Sequence, residues 1–311
     1  MSLSDKKNVN SYVKSGTMSY PKIASNIKRP QSTPVVQQAQ QQAFSQDQIV
    51  SEIKQINSEN TRSQAVKSLL AKRANIKDLA LMIWFSPGTV VSLLSDILNF
   101  YPNLASGETN VPNANNVYNN ILLFQLVASN SDTKLPFVLS GIPTYLFPFF
   151  KLNSNNADAE RFIGATIGVF AGLVKGKQSE IISSLIKSEF LPICLNTLAQ
   201  WNGVIRIAAA YILKCLISID EGYSIIANNQ QQTKIVLEIL NNALMDLNED
   251  YDIHLSKSII EVYTKLIGNA SVSKILGSVV SKEFLEFRPK QNLDQQYRNF
   301  IDRVQSLSKT K

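Results

Sequence analysis

The sequence predicts an all-α protein, an armadillo-repeat right-handed α-solenoid of about six helical repeats. Three observations predict it. A phrase that ends a long apolar helical run recurs as Leu126-Val127-Ala128-Ser129, Leu173-Val174-Lys175-Gly176, Leu216-Ile217-Ser218-Ile219 and Leu266-Ile267-Gly268-Asn269, at spacings of 47, 43 and 50 residues. Each phrase is followed by a short polar break and a shorter amphipathic helix. Twice an Ile-Pro or Leu-Pro step then opens a third helix, at Ile142-Pro143-Thr144-Tyr145-Leu146 and Leu191-Pro192-Ile193-Cys194-Leu195. Strand signals are absent, and two or three helices per repeat of about 40–47 residues is the armadillo/HEAT pattern.

Taken in order, residues 1–45 form a Ser-, Gln- and Lys-rich tail punctuated by Pro21, Pro30 and Pro34, with a low-complexity run from Gln37 to Gln42. Nothing in it offsets the entropy of ordering, so disorder is expected. The armadillo domain is expected over 46–311. Ile49, Ile53 and Ile56 have helical spacing. Ser58-Glu59-Asn60-Thr61 opens a second helix carrying Ala65, Leu69 and Leu70. Asp78 to Trp84 gives a short apolar helix, broken at Pro87-Gly88. Thr89 is expected to cap the next helix, whose Val90, Val91, Leu93, Leu94, Ile97 and Leu98 spread too widely for one face, so both sides should pack. Loops are expected over Ala105–Asn116 and Asn153–Asp158. Long helices dense in apolar residues, such as Ile121, Leu122, Phe124, Leu126 and Val127, then alternate with short ones, as an inner layer buried by both neighbouring repeats requires. Trp84 is expected in the core and Trp201 half exposed at a helix junction. A last amphipathic helix with Tyr297, Phe300, Ile301, Val304 and Leu307 caps the stack.

Composition excludes several function classes. The apolar fraction of 44% is ordinary for a globular chain. No apolar run is long enough to span a membrane, and the N-terminus has no apolar signal core. The net charge is +7, yet Lys6, Lys7, Lys14, Lys22, Lys28 and Arg29 against Asp5 put +5 of it in the tail, leaving about +2 for the remainder. Cys194 and Cys215 read as buried thiols in a reducing compartment. The single His254 has no Cys or carboxylate at ligand spacing, so no metal site is expected. Gly164 and Gly168 lie inside a helix, where they permit close packing rather than cradle a phosphate. Asp246, Glu249, Asp250 and Asp252 read as a solvated acidic turn. No nucleophile elbow or shielded acid pair occurs, so neither an enzyme nor a cofactor is expected.

The stretch Asp78-Leu79-Ala80-Leu81-Met82-Ile83-Trp84-Phe85-Ser86-Pro87-Gly88-Thr89, running on to Asn99-Phe100-Tyr101-Pro102, resembles the "required for cell differentiation" family, the armadillo-repeat subunit of the CCR–NOT deadenylase complex. Collinear matches follow at Leu123–Ser129, Ile142-Pro143 with Leu146-Phe147-Pro148-Phe149, Ile167 to Lys175, Leu191 to Leu195, and Tyr211-Ile212-Leu213-Lys214 with Asp220 and Gly222. The resemblance implies a non-catalytic adaptor that docks on the NOT scaffold and recruits regulators through short linear motifs, for mRNA deadenylation, decay and translational repression. A cytoplasmic protein, with the nucleus as second compartment, is expected, and a homodimer is a candidate state.

The positions matching the family's peptide-binding helix are Phe85, Pro87, Val91 and Leu98. The family usually carries His, an aromatic and Ala where Phe85, Pro87 and Val91 stand here, so the groove stays apolar but changes shape. Val91 and Leu98 lie two helical turns apart on one face, and the equivalent armadillo helix lines the concave surface. The rival reading places both in the core. The family's tryptophan pockets match Gln230, Gln232, Ser271 and Ile275, against a family pattern of Tyr, Arg, Arg and Ala. Loss of the aromatic wall and the cation argues against tryptophan recruitment here. The alternative function is a nucleic-acid-binding armadillo module in transcriptional regulation, with weak single-stranded nucleic acid contacting Arg161, Arg206 and Lys257 in a basic groove. A transport adaptor would need Asn and Trp arrays, which Trp84 and Trp201 do not supply.

Overall fold

The computed structural model describes residues 45–152, 158–246, 252–279 and 295–308. The expected tail, except Ser45, lies outside the described residues, as do most of the 153–158 loop and Glu249 and Asp250 of the acidic turn. Sixteen α-helices and one 3-10 helix follow in order among the described residues. The first are α1 (Gln46–Gln55), α2 (Glu59–Lys72), α3 (Leu79–Phe85), α4 (Thr89–Asn99), α5 (Tyr101–Ser106), α6 (Ala114–Ser129) and α7 (Lys134–Leu139). The 3-10 helix Ile142–Lys151, α8 (Ala159–Val174), α9 (Ser179–Lys187), α10 (Phe190–Gln200) and α11 (Gly203–Leu216) form the middle. The chain ends with α12 (Asp220–Ala227), α13 (Gln230–Met245), α14 (Ile253–Leu266), α15 (Ala270–Val279) and α16 (Gln295–Ser308). Among the described residues no single helix is long and apolar enough to cross a membrane.

Three ladders of helices run through the stack. The long helices α2, α6, α8, α11, α14 and α16 pack successively on one another as the inner ladder. A second ladder runs from α5 through the 3-10 helix to α10, α13 and α15, and the short α7, α9 and α12 form the third. The four recurring phrases end α6, α8, α11 and α14. The inner helices are buried on two sides: α8 buries Phe162, Ile163, Thr166, Ile167, Val169, Phe170, Leu173 and Val174. Aromatic rings bridge the ladders, Phe170 stacking on Phe190 of α10 at 4.0 Å between centroids.

The polar breaks between repeats have a local cause. After α6, Asn130 Oδ1 accepts the N–H groups of Asp132 and Thr133, while the Thr133 hydroxyl donates to the carbonyl of Val127. After α14, Asn269 Oδ1 accepts from Ser271 and Val272, and Ser273 donates to Ile267. One amide thus satisfies orphan donors of the incoming helix and one hydroxyl an orphan acceptor of the outgoing one.

Several expectations are corrected. The N-cap of α4 is Gly88, at φ 78°, and not Thr89, which is fully buried. The loop expected at Ala105–Asn116 is shorter, because α5 occupies its front and α6 begins at Ala114. Trp201 is buried rather than half exposed; its carbonyl is capped by Arg206. Gly168 does permit close packing, since a Cβ there would stand 2.8 Å from the Gln125 amide, but at Gly164 the nearest atom would be 3.9 Å away. The outer side of α4 is unpacked, so its two sides are not both covered. Cys194 and Cys215 are fully buried free thiols. Phe300 and Val304 of α16 are buried, while the side chains of Tyr297, Ile301 and Leu307 lie outside the described set.

Candidate functional site

The turn between α3 and α4 presents the most exposed apolar surface near the predicted peptide positions. Trp84 points inward and meets Phe137 edge-on, with centroids 5.9 Å apart. Its neighbour Phe85, a helical step away, therefore points out and is 69% exposed. α3 and the following Thr89–Ser106 span meet at 84°. Their turn is pinned from the α1–α2 connection, where Asn57 Nδ2 donates to the Pro87 carbonyl at 2.9 Å and Asn57 Oδ1 accepts from the Ser92 hydroxyl at 3.3 Å. Gly88 takes the left-handed conformation that this sharp turn needs, with the Asn57 side chain against it.

Along α4, Leu93 and Ile97 fill the core while Val91 is 71% and Leu98 37% exposed. Phe85, Pro87, Val91 and Leu98 are thus all solvent-facing on one helix–turn–helix corner. The core reading of Val91 and Leu98 is overturned. α4 packs on α3, α5 and α6, and stands outside the ladder formed by α2, α6, α8, α11, α14 and α16. Phe85 and Val91 are among the most exposed large apolar side chains of the described residues.

The other predicted residues are placed as follows. Gln230 and Gln232 are exposed at the start of α13, where Asn229 caps the helix through the N–H groups of Gln231 and Gln232. Ser271 is exposed and Ile275 half-buried against the core on α15, the helix that packs on α13. The structure brings these four onto adjoining helices, with an aliphatic side chain rather than a small one turned inward.

The three basic residues sit near the starts of α8, α11 and α14 and differ in exposure and in the partners that engage them. Arg206 is 8% exposed; its Nε donates to the Trp201 carbonyl at 2.6 Å and its Nη1 pairs with Asp246 at 2.7 Å. Two of its five donors are thus engaged by the fold, and Asp246 of the acidic turn serves there as a structural partner. Arg161 donates to Asn115 Oδ1 at 2.8 Å, lies 3.5 Å from Asp158, and covers the Tyr118 ring at 4.9 Å. Lys257 alone of the three is exposed on α14. His254 is exposed beside the Asp252 cap, which accepts its N–H.

Two features escaped the sequence reading. A polar pocket of about 280 Å³ lies among Arg62, Ser63, Asp96, Asn99, Asn113 and Asn116, and a cleft of about 490 Å³ separates α14 from α16. Both are assembled across repeats, so no local spacing marks them.

Comparison with known proteins follows the same lines. Residues 52–309 match the family described as "Cell differentiation family, Rcd1-like". The chain is 30% identical over 222 residues to the cell differentiation protein rcd1 of Schizosaccharomyces pombe, spanning 71% of this chain and 78% of that one. It is 29% identical over 220 residues to protein CAF40 of Saccharomyces cerevisiae, spanning 70% of this chain and 59% of that protein's length. Among solved structures, a designed armadillo repeat protein superposes with a TM-score of 0.55 at 13% identity, over 84% of this chain and 99% of its own. A second, solved with the peptide (KR)4, gives 0.53 at 13% identity over the same shares. These two likenesses concern the fold.

Proposed function

The chain belongs to the Rcd1-like cell differentiation family, and from that premise we propose that it is a non-catalytic adaptor subunit of the CCR–NOT deadenylase complex. It docks on the NOT scaffold and recruits motif-bearing regulators for mRNA deadenylation, decay and translational repression. The cytoplasm is its main compartment and the nucleus its second, and the role needs no cofactor. The observation that carries the reading is the exposed apolar corner of Phe85, Pro87, Val91 and Leu98. Interfaces between permanent partners are the more hydrophobic class, and a corner lying off the inner ladder leaves that ladder for regulator motifs. The corner is therefore assigned to the scaffold rather than to a motif peptide.

The test replaces Val91 and Leu98 together with Glu. Both side chains reach solvent, so the fold should survive and a thermal melt should match the parent. The carboxylates would have to be desolvated at the interface, which is costly. Scaffold recovery in a pull-down should fall about tenfold or more, the loss expected when a central apolar anchor is removed. An intact fold with undiminished scaffold recovery refutes the assignment. Loss of regulators alone would return the corner to the peptide role that the resemblance implies.

A further inference from the structure

We propose that the cleft between α14 and α16 binds an aromatic side chain flanked by carboxylates on a peptide segment of a partner protein. The site does not rest on the scaffold docking assigned to α3 and α4. Its walls are Ile260, Glu261, Thr264 and Lys265 from α14 and Ile267 just after it, with Asn299, Phe300 and Arg303 from α16. These positions recur at helical spacing on each helix, so each contributes one face. The volume of about 490 Å³ falls within the range of built ligand pockets, about 300–1,000 Å³.

The floor and the rim differ in chemistry. Ile260, Ile267 and Phe300 are buried, and the Phe300 ring leans on Tyr263 at 5.1 Å. An incoming ring finds aliphatic walls and an aromatic edge, the setting in which aromatic pairs gain beyond area burial. Thr264, Asn299 and Arg303 are exposed at the mouth.

Charge selects the flanks of the ligand. Glu261 is already engaged by Lys214 at 3.3 Å. Lys265 donates to the Ser218 carbonyl at 2.8 Å, a contact that fixes the ammonium without cancelling its charge. Arg303 has no acidic partner among the described residues, and the adjacent Asp302 is not part of the lining. The rim is thus left with excess positive charge, one centre of which is a planar guanidinium suited to a carboxylate. The gap itself belongs to the step between two rungs. The α11–α14 step is cross-linked by the Lys214 and Lys265 contacts, whereas the α14–α16 step packs through Tyr263 and Phe300 and leaves the cleft beside them.

The experiment uses the full-length protein and a fluorescein-labelled peptide, Gly-Ser-Asp-Asp-Phe-Asp-Asp-Ser-Gly, followed by anisotropy. Saturable binding is expected. It should weaken about tenfold or more when the peptide's Phe becomes Ala or its Asp residues become Asn, and by a similar factor in Arg303→Glu. Thr264→Trp places an indole at the exposed mouth and should abolish binding while the thermal melt stays unchanged. The Val91→Glu, Leu98→Glu protein should bind the peptide as the parent does, which separates this site from the corner on α4. No saturable binding, equal binding of the Ala or Asn peptides, or indifference to both cleft variants overturns the proposal. A dimer in sedimentation velocity that dissociates on Thr264→Trp would assign the cleft to a second copy of the chain and overturn it equally.

Discussion

Leu173 is fully buried in α8, and its neighbours Val169, Phe170 and Val174 are buried with it. Leu173→Ala should therefore cost about 2–5 kcal/mol, read from the urea midpoint; a loss under about 1 kcal/mol would mean the site collapses or faces solvent. Cys194 is equally enclosed, with its thiol directed at the Ala209 carbonyl at 3.3 Å. Burial pushes the Cys194 thiol far above its ordinary range and raises Cys215 as well, so neither supplies thiolate at neutral pH. A polar maleimide should label the native protein only at the rate of its unfolding, and labelling within seconds would contradict this. Both residues were legible from apolar helical surroundings. Arg206 was not. Its carbonyl partner Trp201 is five residues away, but Asp246 is forty. Arg62 repeats the device, donating to the Ile56 carbonyl at 2.7 Å and pairing with Asp96. Each lies in the first turn of an inner helix and ties a helix end to a carboxylate of a distant helix. A sequence shows the charge of such an arginine and hides the acid that consumes it.

At the scale of the helix, α8 carries glycines at 164, 168 and 172 that look alike in sequence and behave differently in packing. A Cβ at Gly172 would meet the Ser129 hydroxyl at 2.6 Å and the Ala128 backbone at 3.3 Å, whereas one at Gly164 would meet only Ile205 at 3.9 Å. Gly172→Ala should destabilise by about 1–3 kcal/mol through overpacking of α8 on α6. Gly164→Ala should stabilise by up to about 1 kcal/mol through helix propensity. Equal effects in denaturant melts would refute the asymmetry. Most helices were legible because apolar spacing and polar breaks coincide, as at Asn130 and Asn269. The short α5 was hidden because Tyr101-Pro102 reads as a breaker, although a proline in the first turn is compatible with a helix start. The Ile142–Lys151 segment was legible as helical but not as 3-10; Pro148 within it withholds an N–H from the α pattern.

For the whole molecule, the first described helix opens with a capping box in which Ser45 and Gln48 exchange side-chain and backbone bonds. A chain beginning at Ser45 should melt cooperatively at the temperature of the full chain; a drop of about ten degrees, roughly 2 kcal/mol or more on the usual conversion, would show that residues 1–44 contribute to the core. The repeat period was readable because every rung needs the same apolar density. Which rung faces remain uncovered was not, since exposure at Val91 and the opening beside Phe300 depend on helices far apart in sequence. The inner ladder also has mechanical consequences. Its rungs are springs in series, and they are unequally stiff. The α6–α8 rung is drawn close by Gly168 and Gly172, and the α11–α14 rung is riveted by Lys214 and Lys265. The final rung is held through the Tyr263–Phe300 contact and borders a cleft of about 490 Å³. Under tension applied through the two ends, extension concentrates at α16, so a partner tugging there peels away one helix while the curvature of the central rungs is held.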